Sequence, residues 1–205
     1  MDKEFNKIYL DPNIYCVENF ISKEEAERIL NAPIDYKTQR QDLYGNIQTG
    51  FFSQFEDKEF FNNTIENRIR LLVDNSDQRL RSTGLITKYI PDIEKRENDP
   101  RADFDLYYHY ENHPGCDYES RFITYGLVLY FNDDYEGGEL VFEHKPIEVK
   151  PKALSIMVFP GSEEYSHAVK NVIGKERVVY SAFVYQREYW EILNRSEFVT
   201  ERFYF

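Results

Sequence analysis

The run at 104–112, FDLYYHYEN, places a histidine and a glutamate two residues apart in a tyrosine-rich stretch. Read as a β-strand over 104–111, it turns residues i and i+2 to one face, so His109 and Glu111 project together. An imidazole beside a carboxylate is either a hydrogen-bonded pair or two ligands of a metal. The chain has four histidines: His109, His113, His144 and His167. His167, in SHAVKNVIGKER, lies well downstream ahead of another strand pattern and is the natural third ligand. Two imidazoles and one carboxylate on strands form a facial donor set suited to iron(II), with three coordination positions left open. Each residue alone has a plainer reading. A lone histidine is usually a satisfied core or surface group, and an arginine such as Arg177 usually sits in a surface ion pair.

The elements that must hold these residues divide into two parts. Ser22 followed by Glu25, ahead of Ala26, Ile29 and Leu30, is a capping-box signature for a helix over 22–31, which Pro33 ends. Phe60, Phe61, Ile65, Ile69, Leu72 and Val73 recur at spacings of three and four, which predicts an amphipathic helix over 57–81. Residues 14–21 read as a short strand or extended lead-in, and 34–56 as strands and turns. From Gly84 the period changes. Strands are predicted at 84–90, 104–111, 121–131, 139–143, 146–149, 154–159, 164–170 and 176–186, separated by turns such as HPG, NDD, EGG and FPG. Many short strands with regular turns indicate a sandwich or barrel, here with helices packed on one sheet. The charged run at 91–103 reads as a loop that could cover a site lying between Tyr89 and the histidine strand.

Composition narrows the function. With 17 Tyr and 16 Phe the chain of 205 residues can build a large core and is not a disordered sequence. A net charge of −12 is a poor match to nucleic acid, which needs clustered Lys and Arg. Two cysteines, Cys16 and Cys116, are too few for a disulfide scaffold and suggest free thiols in a reducing compartment. No signal peptide and no membrane-spanning run is read in the chain, so the expected location is cytoplasmic.

Over residues 84–186 the chain resembles the 2-oxoglutarate- and Fe(II)-dependent dioxygenases, in particular the prolyl 4-hydroxylase-like branch. KYIP at 88–91, HYEN at 109–112, RFITYGLVLYFND at 121–133, YEGGELVF at 135–142, VKPKALSIMVFPG at 149–161 and SHAVKNVIGKER at 166–177 follow the family's motif order. Residues 18–32 are similar to a helix common ahead of this domain. The resemblance implies a double-stranded β-helix, or jelly-roll, in an α+β, mainly β, chain. It implies one domain, with helical support at 1–83, the catalytic core at 84–189 and a tail at 190–205. It implies Fe(II) on His109, Glu111 and His167, with 2-oxoglutarate chelating the metal and its far carboxylate on Arg177. Tyr130 sits where relatives often place a tyrosine on that carboxylate, and Tyr89 lines the same pocket. The implied reaction consumes O2 and 2-oxoglutarate, hydroxylates an unactivated C–H bond of a peptidyl proline or other amino-acid residue, and releases succinate and CO2. An ascorbate requirement, and a peptide, protein or amino-acid substrate, come from the resemblance as well.

One position departs from the family. Glu111 stands where relatives usually have Asp, so its carboxylate must retract or its strand must shift to reach a metal. Three other readings stay open: a halogenase using His113-Pro114-Gly115, a non-catalytic β-domain with a degraded site, and a cupin-like metal-binding protein without 2-oxoglutarate chemistry. Lys175 could replace Arg177 if the register moved by two.

Overall fold

The computed structural model describes residues 5–41, 45–51, 56–73, 78–91, 108–112 and 122–186. Their strands, in chain order, are β1 (Lys7–Asp11), β2 (Ile14–Val17), β3 (Lys37–Gln41), β4 (Gly45–Phe51), β5 (Gln78–Pro91), β6 (Ile123–Tyr130), β7 (Glu136–Gly137), β8 (Leu140–Phe142), β9 (Glu148–Val149), β10 (Ile156–Pro160), β11 (His167–Val169), β12 (Val172–Ile173) and β13 (Arg177–Gln186). The helices are α1 (Lys23–Leu30), α2 (Lys58–Phe61) and α3 (Asn67–Val73), the last two joined by a π-helical turn at Asn62–Glu66. Eight strands form one large sheet in the order β1-β2-β10-β6-β13-β5-β4-β3, and β11-β8-β9 and β12-β7 form two small sheets. Every named pairing is antiparallel.

Period-2 geometry sorts the large sheet's side chains into two cores. Leu127, Leu129, Ile156, Val158, Val178, Tyr180, Ala182 and Val184 point to one face, where Ala26, Ile29, Phe61, Ile65, Ile69 and Leu72 of the helices cover them. Tyr130, Met157, Phe159 and Val179 point to the other, where Leu140 and Phe142 of β8 meet them. The central strands are therefore buried on both faces, so they read as near-continuous apolar runs. This is the helix-backed, mainly β double-stranded β-helix that the motif order implies.

Local chemistry explains the helical layer. The Ser22 hydroxyl accepts from the Glu25 amide and the Glu25 carboxylate accepts from the Ser22 amide, closing the capping box at the start of α1. Arg68 of α3 donates both guanidinium arms to Glu25 at 2.8 and 2.6 Å and a third bond to the Phe20 carbonyl, tying α3 to α1.

Three expectations are corrected. The helix expected over 57–81 ends at Val73, and Gln78–Arg81 belong to β5, where they pair with Phe183–Gln186 of β13. The apolar repeat itself stops at Val73; beyond it, long-range ladder bonds outweigh local propensity. The strand expected over 104–111 reduces, within 108–112, to a single bridge at His109. At 164–170 a 3-10 turn (Glu163–Tyr165) precedes the short β11. The hairpin β1–β2, turning at Pro12-Asn13, has only β2 foreshadowed by the apolar run at 14–17.

Candidate active site

The single bridge at His109 does the positioning that a full strand was expected to do. The His109 amide donates to the His167 carbonyl at 2.9 Å, and the His167 amide donates back to His109 at 2.8 Å. This reciprocal pair brings the two imidazoles to 4.4 Å between ring centroids. His167 is buried against Phe159 and Phe142. Its Nδ1 faces the Tyr165 carbonyl at 3.1 Å, which favours the tautomer with the proton on Nδ1 and a free lone pair on Nε2. That Nε2 lies 3.7 Å from Glu111 Oε1. One ligand atom from each of His109, Glu111 and His167 falls within 4.8 Å of the others.

Glu111 reaches this point without a strand because glycine makes room for it. The Asn112 amide donates to the Gly161 carbonyl at 2.7 Å, which fixes the backbone beside Glu111. A Cβ built on Gly126, in the middle of β6, would lie 3.1 Å from both Glu111 Cγ and Oε1. A Cβ on Gly161 would lie 3.2 Å from Glu111 Cβ. The extra methylene of Glu is thus housed over two residues that lack side chains.

The cluster is short of positive charge. Burial pushes the Glu111 carboxyl up to about 7. Burial, and then the neighbouring His109, push His167 down to about 3. At neutral pH the Glu111–His167 contact is therefore a carboxyl facing a neutral imidazole, not an ion pair. Two imidazole lone pairs and a desolvated carboxylate fit a divalent iron ion, which would restore the missing charge.

A second group lies on β6, the turn after it, and β13. Arg177 is buried, and its Nη2 donates to Tyr130 Oη at 3.4 Å. The ladder explains the meeting: Val179 pairs with Tyr130, and Arg177 shares the inward parity of Val179. Asn132 locks the junction, donating from Nδ2 to the Glu176 carbonyl at 2.7 Å and accepting from the Val178 amide at 2.8 Å. Tyr89 of β5 stands directly opposite Arg177 in the β13–β5 register. Lys175 is exposed and paired with Asp134 at 2.6 Å, so it does not take the place of Arg177. No carboxylate forms an ion pair with Arg177 among the described residues.

Beside His109 a cavity of about 380 Å³ is lined by Tyr108, His109, Tyr110, Glu143 and Glu163, among others. His144 is exposed beside Glu143, as a solvated residue should be. His113-Pro114-Gly115, Cys116, Arg121, the tail at 190–205 and all but the first residue of the 91–103 loop lie outside the described residues. Sequence reasoning gave no role to Asn132, Gly126 or Gly161. Asn132 stood inside a quoted motif, and Gly126 interrupts an otherwise bulky strand, which is the usual sign of a close approach.

Residues 101–185 match the 2OG-Fe(II) oxygenase superfamily. No curated protein sequence matches the chain. Among solved structures, the chain is similar to a viral collagen prolyl hydroxylase from Paramecium Bursaria Chlorella virus-1, solved as a 2OG complex, at 16% identity and a TM-score of 0.61, covering 85% of this chain and 96% of that one. It is similar to a prolyl hydroxylase from Trichoplax adhaerens, solved with a hypoxia inducible factor peptide fragment, at 9% identity and 0.59, covering 88% and 86%. A Pseudomonas putida prolyl-4-hydroxylase gives 14% identity and 0.54, covering 85% and 93%.

Proposed function

We propose that this chain, whose residues 101–185 match the 2OG-Fe(II) oxygenase superfamily, is a 2-oxoglutarate- and Fe(II)-dependent oxygenase that hydroxylates a proline residue of a peptide or protein, releasing succinate and CO2. His109, Glu111 and His167 would hold the iron, and Arg177 with Tyr130 the far carboxylate of 2-oxoglutarate, with Tyr89 beside them. When bound, iron and 2-oxoglutarate supply the oxidising power for C–H hydroxylation with O2. The protein's own work is placement. Nδ1 of His167, held by the Tyr165 carbonyl, keeps the Nε2 lone pair aimed at the metal position. The buried guanidinium of Arg177 orients a carboxylate at a distance from that position. Phe159 and Phe142 against His167 keep water from that side of the site.

The observation that carries this reading is the pairing of a compact His-Glu-His cluster with a buried guanidinium that has no carboxylate ion pair among the described residues. The cavity beside His109 has room for a pyrrolidine ring, and its tyrosines offer aromatic faces for one. The prolyl hydroxylases of similar fold favour a prolyl substrate over a free amino acid. An ascorbate requirement belongs to the same proposal. No helix among the described residues is long and apolar enough to cross a membrane. The buried free thiol of Cys16 suits a reducing compartment such as the cytoplasm.

The test is anaerobic titration with Fe(II) and 2-oxoglutarate, followed by the visible charge-transfer band of the chelated cosubstrate. A band in the native chain, then succinate formation stimulated by proline-containing peptides, is the expected result. Metal binding without that band would leave a metal-binding β-domain and remove the oxygenase reaction.

A further inference from the structure

The imidazole of His167 faces one carbonyl, and the residue that supplies it has a second attachment far away in the chain. Tyr165 is the last residue of the 3-10 turn at Glu163–Tyr165. Its backbone carbonyl meets His167 Nδ1 at 3.1 Å. Its ring is buried in one core with Ile14, Phe142 and Phe159. Its hydroxyl accepts from Asn13 Nδ2 at 2.9 Å, across 152 residues of sequence. Asn13 stands in the turn of the β1–β2 hairpin. One residue thus joins the N-terminal hairpin, through its side chain, to the His167 ring, through its backbone.

A second contact ties the same two parts together. Lys145, in the turn after β8, has a side chain only 14% exposed. Its Nζ lies 3.5 Å from Asp11 at the end of β1, 3.1 Å from Glu164 in the 3-10 turn and 4.6 Å from the centroid of the Tyr165 ring. Packing alone would be met by a phenylalanine at 165, so the distinct work of the hydroxyl is its bond to Asn13. The hairpin turn does not need the Asn13 side chain: the Asn13 backbone amide closes it, donating to Asp11 Oδ1 at 3.1 Å.

We propose that Asn13 is a positioning residue for His167, acting through the Tyr165 hydroxyl and the Tyr165 carbonyl on which the imidazole rests. This rests on the reading of His167 as a metal ligand. Groups that directly orient a coordinating imidazole are ordinarily worth about 10–100-fold in metal affinity. Asn13 stands one residue further out, so a smaller effect, roughly three- to tenfold, falls to it.

The experiment compares the native chain, Asn13→Ala, Tyr165→Phe and the double variant. Calorimetry gives Mn(II) affinity, the visible d–d spectrum of the Co(II)-loaded protein reports ligand geometry, and melts without metal give Tm. Arg68→Met, which cuts the tie from α3 to α1, shows what lost stability alone does to metal binding. Each single variant should bind Mn(II) roughly three- to tenfold more weakly and shift the Co(II) spectrum, and the double variant should lose no more than the weaker single. Arg68→Met should lower Tm and keep the native affinity and spectrum. Native-like affinity and spectrum in either single variant overturns the proposal. So do losses that Arg68→Met reproduces at equal Tm, or losses that add in the double variant. Failure of the native chain to bind Mn(II) overturns the metal reading itself. No 2-oxoglutarate enters these measurements, so the oxygenase reaction stands or falls separately, on its own titration.

Discussion

At one part of the site a carboxyl and two imidazoles converge; at the other a guanidinium is buried with no carboxylate ion pair among the described residues. The first is built from irregular backbone, a single bridge at His109 and the bend that carries Glu111. The second is built mainly on β6 and β13 of the large sheet, with Asn132 bonding across the strand ends. Burying an uncompensated charge is costly, so each part is held in a state that a ligand of opposite sign relieves. The carboxyl–imidazole part responds by shedding charge, with Glu111 up at about 7 and His167 down at about 3. Arginine cannot respond that way, because its guanidinium does not deprotonate in proteins. The lesson is that the charge of the first part depends on pH, while the second carries a permanent positive charge.

The sharpest break in that contrast is Arg177→Ala. It should weaken 2-oxoglutarate binding by about a hundredfold or more while leaving Mn(II) affinity unchanged, measured by calorimetry. Equal losses for metal and cosubstrate would show that the two parts are not separate.

Next comes Gly126→Ala, whose new Cβ would meet Phe159 at 2.7 Å and the Glu111 carboxylate arm at 3.1 Å. We expect roughly a tenfold loss of Mn(II) affinity and a stability loss of about 1–3 kcal/mol. Adding Glu111→Asp should recover part of the metal affinity and none of the stability, since the Phe159 contact persists. Additive losses in the double variant would separate Gly126 from Glu111.

A third prediction concerns pH in the metal-free protein. With the folded Glu111 carboxyl raised to about 7 from 4.5, the folded chain holds a proton that the unfolded chain has released. Stability is then lost as pH rises through that window. His167, lowered to about 3 from 6.5, acts in the opposite sense, costing stability as pH falls through its own window. Glu111→Gln should therefore raise ligand-free stability at pH 8 by roughly 1–3 kcal/mol and leave it near native at pH 4.5, by urea unfolding at both values. Metal affinity of the native chain should rise as pH passes through about 7, because the Glu111 proton must leave.

The smallest effect belongs to Lys175→Ala. Its pair with Asp134 is exposed, and we expect less than about 1 kcal/mol in stability and no change in 2-oxoglutarate binding. A clear loss of cosubstrate affinity would reopen the register question between Lys175 and Arg177.

By itself the sequence determined the donor types and the positions of the central strands β6, β10 and β13. His109, Glu111 and His167 are a donor set whose chemistry is intrinsic to the side chains. The capping box at Ser22–Glu25 and the alternation through β10 and β13 are local patterns, and local patterns can be read from neighbours in the chain. Only the tertiary structure decided the rest, because it depends on contacts between distant residues. The reciprocal bridge from His109 to His167, the glycines that house the longer Glu111, and the turn of β5 away from the helix pattern at Gln78 are all long-range.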